Sequence, residues 1–216
     1  MADEIHGWEE AYRRRPSGER RPHEDAEFLD QFFKERGVRR ILDLGCGDGR
    51  HLVFFGGRGY EMFGLDIAPT AIRLANEWLA EKGLSAELVA CDMTTIPWPE
   101  GFFDAVVCVQ VINHHRIRDI RKTLGEIHRV LRPGGYLFLT VGTKRPQNPS
   151  RWCLVKEVEP NTWVRLEGHE KGVPHHFFDE EELMRELAVF DILRDVLEPH
   201  SDSRGKTCVL AQRPGA

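Results

Sequence analysis

No apolar run in the 216 residues approaches the ~18 that a helix needs to cross a bilayer, so no membrane span is expected. The opening stretch MADEIHGWEEAYRRR has no apolar segment behind its charges and does not read as a secretory leader. Cysteine is sparse, with five residues (Cys46, Cys91, Cys108, Cys153 and Cys208), and no two of them form a CxxC pair. Four sit in apolar segments and read as reduced, mostly buried thiols of a cytoplasmic protein. Positive charge is not in excess. The 30 Lys and Arg against 35 Asp and Glu give a formal charge of −5, the wrong sign for a chain whose main task is to hold a phosphate backbone. Internal repeats and low-complexity tracts are absent. What is present is an ordinary globular composition: 41% hydrophobic residues together with 20 Gly bring the apolar share to about half. The length suits one domain carrying a substantial insert.

Strand-like and helix-like segments alternate. Short apolar runs at 40–44, 61–65, 86–90, 104–110 and 136–141 read as buried strands. Between them, helices are expected from Arg50 to Phe55, from Pro69 to Lys82 and from Ile117 to Leu131, the last stopping at Pro133-Gly134-Gly135. Apolar strands alternating with amphipathic helices imply a parallel sheet covered on both faces. Toward the C-terminus a short helix is expected over Asp179–Ala188. Two strands follow at 191–195 and 207–211, joined by the polar loop SDSRG at 201–205, and suggest an antiparallel edge. Residues 143–178 form an insert too long to be structureless, bounded by Pro146 and Pro149 on one side and Gly172 and Pro174 on the other.

The segment ILDLGCGDG at 41–49 ends a strand in a glycine-rich turn that opens a helix. Small residues there let a ligand approach the backbone, and the N–H groups of the turn are expected to face it. The spacing is GxGxG, from Gly45, Gly47 and Gly49. A dinucleotide fingerprint needs GxGxxG, whose last position here is Arg50, and no GxxxxGK[ST] occurs. Three acids, Asp43, Asp66 and Asp92, close the first three strands. In a parallel sheet these strands end on one edge, where open α/β sheets bind their ligands.

Over roughly residues 35–142 the chain resembles the class I S-adenosylmethionine-dependent methyltransferases. The resemblance rests on LDLGCGDG (42–49), GLDIAPTAIRLA (64–75), ACDMTTIPWPEGFFDAVVCVQVINHH (90–115) and EIHRVLRPGGYLFLTV (126–141) in that order. It implies a Rossmann-like α/β fold with a seven-stranded, mostly parallel sheet, helices on both faces and an antiparallel last strand. It implies S-adenosyl-L-methionine as cofactor. Asp43 and the backbone of Gly45, Cys46 and Gly47 would hold the methionine end, and Asp66 the ribose hydroxyls. Asp92 would bind the adenine amino group, with Ile67 and Met93 packing on the ring and Gln110 lining the cofactor.

The whole chain, 1–216, is expected to form one methyltransferase domain. Residues 1–24, with Trp8 and Tyr12, would serve as a flap over the cofactor, and the insert 143–178 would face the substrate. His114, after Asn113 at the mouth of the fourth strand, is the candidate general base, because imidazole titrates near neutrality. Tyr12, His115 and His175 are candidate substrate contacts, and His176 shares the insert position. The spacing of these histidines supports no metal site. In-line methyl transfer to a small molecule is the expected reaction, its rate resting largely on alignment. Trp152, Trp163, Phe177 and Phe178 would suit an aromatic or lipid-like acceptor. Two rival readings are a tRNA-modifying methyltransferase and a non-catalytic cofactor-binding partner subunit. The acceptor and the oligomeric state stay open.

Overall fold

In the computed structural model residues 2–14, 20–143, 154–168, 170–193, 200–201 and 206–215 are described. The chain opens with two helices, α1 (Ala2–Arg14) and α2 (Ala26–Glu35). Neither was legible as a helix in the alternation. The buried positions of α2, Ala26, Leu29, Phe32 and Phe33, recur at helical spacing and place one face against the sheet.

The alternating unit follows: β1 (Arg40–Leu44), α3 (Arg50–Gly56), β2 (Glu61–Asp66), α4 (Pro69–Glu81), β3 (Glu87–Ala90), β4 (Phe103–Val109), α5 (Ile117–Val130) and β5 (Leu131–Gly142). The last strand begins earlier than expected. Leu131 pairs with Phe103 and Tyr136 with Ala105, so Pro133-Gly134-Gly135 is absorbed as an irregularity rather than ending the helix in a free turn. Pro at a strand irregularity costs no ladder hydrogen bond. Three short strands occupy the insert, β6 (Val155–Glu159), β7 (Thr162–Arg165) and β8 (Pro174–His176), forming an antiparallel sheet of their own. The chain then adds α6 (Glu180–Glu186), β9 (Asp191–Ile192), β10 (His200–Ser201) and β11 (Lys206–Gln212). Arg15, Pro146, Pro149, Trp152, Cys153, residues 194–195 and most of the SDSRG loop lie outside the described residues.

The main sheet runs β10-β11-β5-β4-β1-β2-β3, seven strands in one path, with the two-residue β9 also pairing β11. β1 to β5 are mutually parallel, and β9, β10 and β5 are each antiparallel to β11. β9 and β10 lie along the same outer side of β11, so the expected paired edge is present in two short pieces. One face of the sheet packs Ile120, Leu124 and Ile127 of α5 with Leu183 and Leu187, and the other packs Phe32 and Phe33 of α2 with Phe55 and Leu79. Strand order reverses between β1 and β4. This brings the C-terminal ends of β1, β2, β4 and β5 to one edge and leaves a crevice there.

Candidate functional site

Backbone conformation shapes the crevice first. Gly45, Gly47 and Gly49 all have positive φ (70°, 55° and 94°), which L side chains rarely adopt. There is also no room for a side chain. A Cβ on Gly45 would run into the Val111 side chain, and one on Gly47 would lie 2.6 Å from Tyr12 Oη. The N–H groups of this turn do not point outward as expected. Gly45 N and Cys46 N both donate to Leu65 O (2.7 and 3.0 Å), Gly49 N donates to Cys46 O (3.0 Å), and Gly47 N donates to Asp66 Oδ2 (3.0 Å). The glycines therefore give close approach, while most of the loop's donors hold the loop itself together.

Asp66 is buried at the end of β2, and Ala68 N donates to its other oxygen at 2.9 Å. Burial pushes its pKa up to about 6, reinforced by the nearby Asp43 charge and opposed by the backbone donors of Ala68 and Gly47. Each carboxylate oxygen keeps a further lone pair for a ligand hydroxyl. Asp43 is fully buried, and its Oδ1 lies 3.5 Å from His51 Nδ1. The His23 backbone N–H donates to His51 Nε2 (3.1 Å), so that nitrogen is the acceptor and Nδ1 carries the proton that faces Asp43. His51 gave no sequence signal, because its role depends on a contact 28 residues away. Asp92 Oδ1 accepts from Thr94 N at 2.8 Å. Burial would raise its pKa, but the Thr94 bonds and the His115 and Lys122 charges hold the carboxyl below the ordinary range. Ile67 and Met93 follow Asp66 and Asp92 at the same edge, half-buried and buried. Cys46 is buried and its thiol is pushed well up by desolvation, then by Asp66 and Asp43. It stays protonated and inert.

Gln110 follows β4 with φ 61°, a conformation that a non-glycine residue adopts at a cost of about 1–3 kcal/mol. Its N–H donates to Thr140 O (3.0 Å). The kink leads into a 3₁₀ turn, Ile112–His114, that swings Asn113, His114 and His115 over the crevice. The Trp8 ring of α1 meets the His114 ring edge-on with centroids 4.8 Å apart, and His175 meets it from the insert, also at 4.8 Å. Behind His175 stands Glu170, which sequence reasoning missed: His175 Nε2 lies 3.3 Å from Glu170 Oε2, and Arg165 donates to the same oxygen at 2.7 Å. Burial alone would raise Glu170, but its hydrogen bond to His175, with Arg165 and His114, holds it well below the carboxylate range. Burial pushes His114 well down, and the His175 charge adds to that shift while Glu170 opposes it. His114 is therefore a neutral base at physiological pH. His176, on the opposite face of β8, bonds Thr162 Oγ1 at 2.7 Å and lies 3.2 Å from Glu182 Oε2, which ties the insert to α6.

Tyr12 comes to the glycine loop, and α1 is anchored beside it. Glu9 accepts from Thr70 N (3.0 Å) and Thr70 Oγ1 (2.5 Å) at the start of α4. Ala68, the residue before that helix, has no side-chain oxygen to cap it. Glu9 supplies the missing acceptor and a negative charge at the helix's positive end.

The family model described as "Methyltransferase domain" matches residues 41–135, the stretch from β1 to the β5 irregularity. Over this segment the chain is similar to the class I S-adenosylmethionine-dependent methyltransferases. A demethylmenaquinone methyltransferase of Thermus thermophilus is 36% identical over 107 residues, 49% of this chain and 48% of that protein. A tRNA (carboxymethyluridine(34)-5-O)-methyltransferase of Arabidopsis thaliana is 30% identical over 130 residues, 57% of this chain and 30% of that protein. The chain thus spans about half the length of the first relative and less of the second. An S-adenosylmethionine-dependent methyltransferase structure from Methanosarcina mazei superposes with TM-score 0.70 at 24% identity, covering 83% of this chain and 94% of that one, a likeness of fold. S-adenosylmethionine is the cofactor of this family. The crevice fits such a group. Its buried edge holds a cradle with no room for side chains and the carboxylates of Asp43, Asp66 and Asp92.

Proposed function

We propose that the chain transfers a methyl group from S-adenosylmethionine to a small molecule, with His114 taking the proton of the acceptor. One observation carries this reading. Six buried polar atoms have no hydrogen-bond partner among the described residues and sit on the crevice edge: Asp43 Oδ2, Gln110 Nε2, Asn113 Oδ1, His114 Nδ1, His115 Nδ1 and Thr140 Oγ1. Buried polar groups are normally paired, and a set of orphans converging on one crevice marks where ligand atoms belong.

When bound, the cofactor supplies an activated methyl group on a sulfonium. The protein's share is binding and alignment. Asp66 accepts from the ribose hydroxyls, Asp92 from the adenine amino group with Ile67 and Met93 against the ring, and Asp43 holds the methionine end, which the side-chain-free Gly45–Gly47 backbone lets come close. Gln110, kinked off β4, lines the cofactor. His114 Nδ1 takes the acceptor's proton, and the neutral imidazole is ready to do so without first losing one. His115 and His175 border the acceptor. Tyr12 and Trp8 of α1 and the described part of the insert, 154–168 and 170–178, roof the reaction and exclude water. The same neutral base would serve a tRNA acceptor, but the charge of −5 favours a small molecule. No helix among the described residues is long and apolar enough to cross a membrane, and the reading is of an enzyme acting in the cytoplasm.

The test is methyl transfer from labelled S-adenosylmethionine into cell extract separated into small-molecule, RNA and protein fractions. Label in the small-molecule fraction, lost with His114→Ala, supports the proposal. Label in RNA alone favours the tRNA reading. Cofactor binding with label in no fraction overturns the enzyme reading in favour of a partner subunit.

A further inference from the structure

A second cluster of ligating side chains stands apart from the crevice, on the α2 side of the sheet. His23 and Asp25 lie in the turn before α2. Cys208 lies on β11, and His200 is its direct register partner on β10. One donor atom from each of His23, Asp25 and Cys208 lies within 4.8 Å of the others. Cys208 Sγ is 3.9 Å from His23 Nε2. Asp25 Oδ2 is 3.5 Å from His23 Nδ1 and 3.3 Å from His200 Nε2. Asp25 Oδ2 is withdrawn from solvent, yet it makes no hydrogen bond among the described residues in spite of two imidazoles at that range. A buried carboxylate oxygen facing two imidazoles with no hydrogen bond to satisfy it is the arrangement of a ligand set.

We propose that His23, Asp25, His200 and Cys208 bind a tetrahedral divalent cation of the zinc class. Zinc holds nitrogen, oxygen and sulfur at about 2.0–2.3 Å, which puts neighbouring ligand atoms about 3.3–3.5 Å apart around a tetrahedron. The donor atoms of His23, Asp25 and Cys208 lie within 4.8 Å of one another, and His200 Nε2 is 3.3 Å from Asp25 Oδ2, so the ligands must draw inward around a single His23 nitrogen to complete the site. Two imidazoles, a carboxylate and a thiol form the mixed donor set that zinc prefers, whereas calcium and magnesium require oxygen. On binding, His23 gives up the long hydrogen bond that Asp25 N donates to its Nδ1 (3.3 Å), and the Cys208 thiol loses its proton to solvent. His200, whose side chain is 37% exposed, opens the route by which the ion enters. The four ligands come from both ends of the chain, and for that reason their spacing carries no motif. The ion would pin the outer strands β10 and β11 to the turn that leads into α2. The same turn donates through His23 N to His51, the partner of Asp43, so the clamp also steadies the crevice from behind.

The full chain, stripped with chelator and then titrated with Co²⁺, gives the readout. One equivalent should bind with strong visible d–d bands of tetrahedral cobalt and a near-ultraviolet thiolate-to-metal band, and Zn²⁺ should bleach both. Cys208→Ser should lose the thiolate band. His200→Ala and Asp25→Asn, at partly exposed positions, should each weaken cobalt binding at least tenfold. S-adenosylhomocysteine affinity, measured in parallel, reports the crevice separately. Absence of a stoichiometric cobalt spectrum in the folded wild-type chain overturns the proposal. An unchanged spectrum in Cys208→Ser and His200→Ala overturns it equally, since the ion would then sit elsewhere.

Discussion

In the proposed role Asp66 meets two opposed demands, burial that favours its neutral form and a ligand diol that needs its charge. Its pKa of about 6 sets the direction of the pH dependence. Ribose hydroxyls donate to the ionised carboxylate, so S-adenosylhomocysteine affinity should be level above pH 6 and fall as pH drops through it, up to about tenfold per unit. Asp66→Ala should remove about 2–3 kcal/mol of binding, because hydrogen bonds to a charged group are each worth about 1.5–3 kcal/mol. Calorimetry across pH checks both expectations, and a folded Asp66→Ala variant with wild-type affinity at pH 8 would refute the ribose role. His114 behaves in the opposite way. Burial and the neighbouring His175 charge push its pKa well down, so the neutral base persists below the usual imidazole value of about 6.5. With saturating cofactor, kcat should therefore be flat through pH 6.5. His114→Ala should lower kcat about 10²–10⁴-fold and leave S-adenosylhomocysteine binding intact. An inflection at pH 6.5 would show that this imidazole is not the base. Glu170 supports the pair from behind. Its folded pKa is depressed by His175 and Arg165, so its stabilising contribution is complete above about pH 4.3 and is lost as pH falls further.

At the level of elements, the described side chains that tie α1 to the rest of the chain include Glu9, Trp8 and Tyr12. Glu9 grips the first turn of α4, Trp8 meets His114 and Tyr12 meets Gly47. Segments attached in this way open locally at low cost. Hydrogen exchange should accordingly be fast over Trp8–Tyr12 in the free protein and slow when S-adenosylhomocysteine binds, with added protection across 155–178 of the insert. Glu9→Gln replaces a charged cap with a neutral one and should speed exchange in α1 without unfolding the sheet. Protection confined to the glycine loop and Asp66 would mean that the roof is not coupled to the cofactor. Local signals explain what the sequence reveals at this scale. The helix α4 was legible from Pro69 and Gly83, and its structured span, Pro69–Glu81, ends one residue short of the expected Lys82. The capping acid was not legible, because the acceptor that completes α4 lies 61 residues before Thr70.

Across the whole molecule the sheet is a wall between two apolar layers, and the α2 layer carries a cluster of aromatic rings. Phe33 is fully buried and lies within 6.1–6.4 Å, centroid to centroid, of Phe55, Tyr60 and Tyr136. Phe33→Ala should cost about 3–5 kcal/mol, a large share of the about 5–15 kcal/mol that holds a domain together. Urea denaturation would show this as a lowered midpoint. Since α2 precedes β1, its loss should destabilise the entire sheet. The alternation of apolar runs with amphipathic helices decided the parallel sheet, because each run has to be buried on both faces, and the acids at the ends of β1, β2 and β3 pointed to the edge proposed to bind. These are local or periodic properties, and a sequence carries them openly. Only the tertiary structure decided what long-range pairing controls. It brings His51 to Asp43, Glu170 to His175 and Glu9 to Thr70, and it sets His23 and Asp25 beside Cys208. It also turns the donors of the glycine loop inward. Each of these depends on where elements distant in the chain come to rest, and neither residue type nor spacing encodes that separately from the packed core.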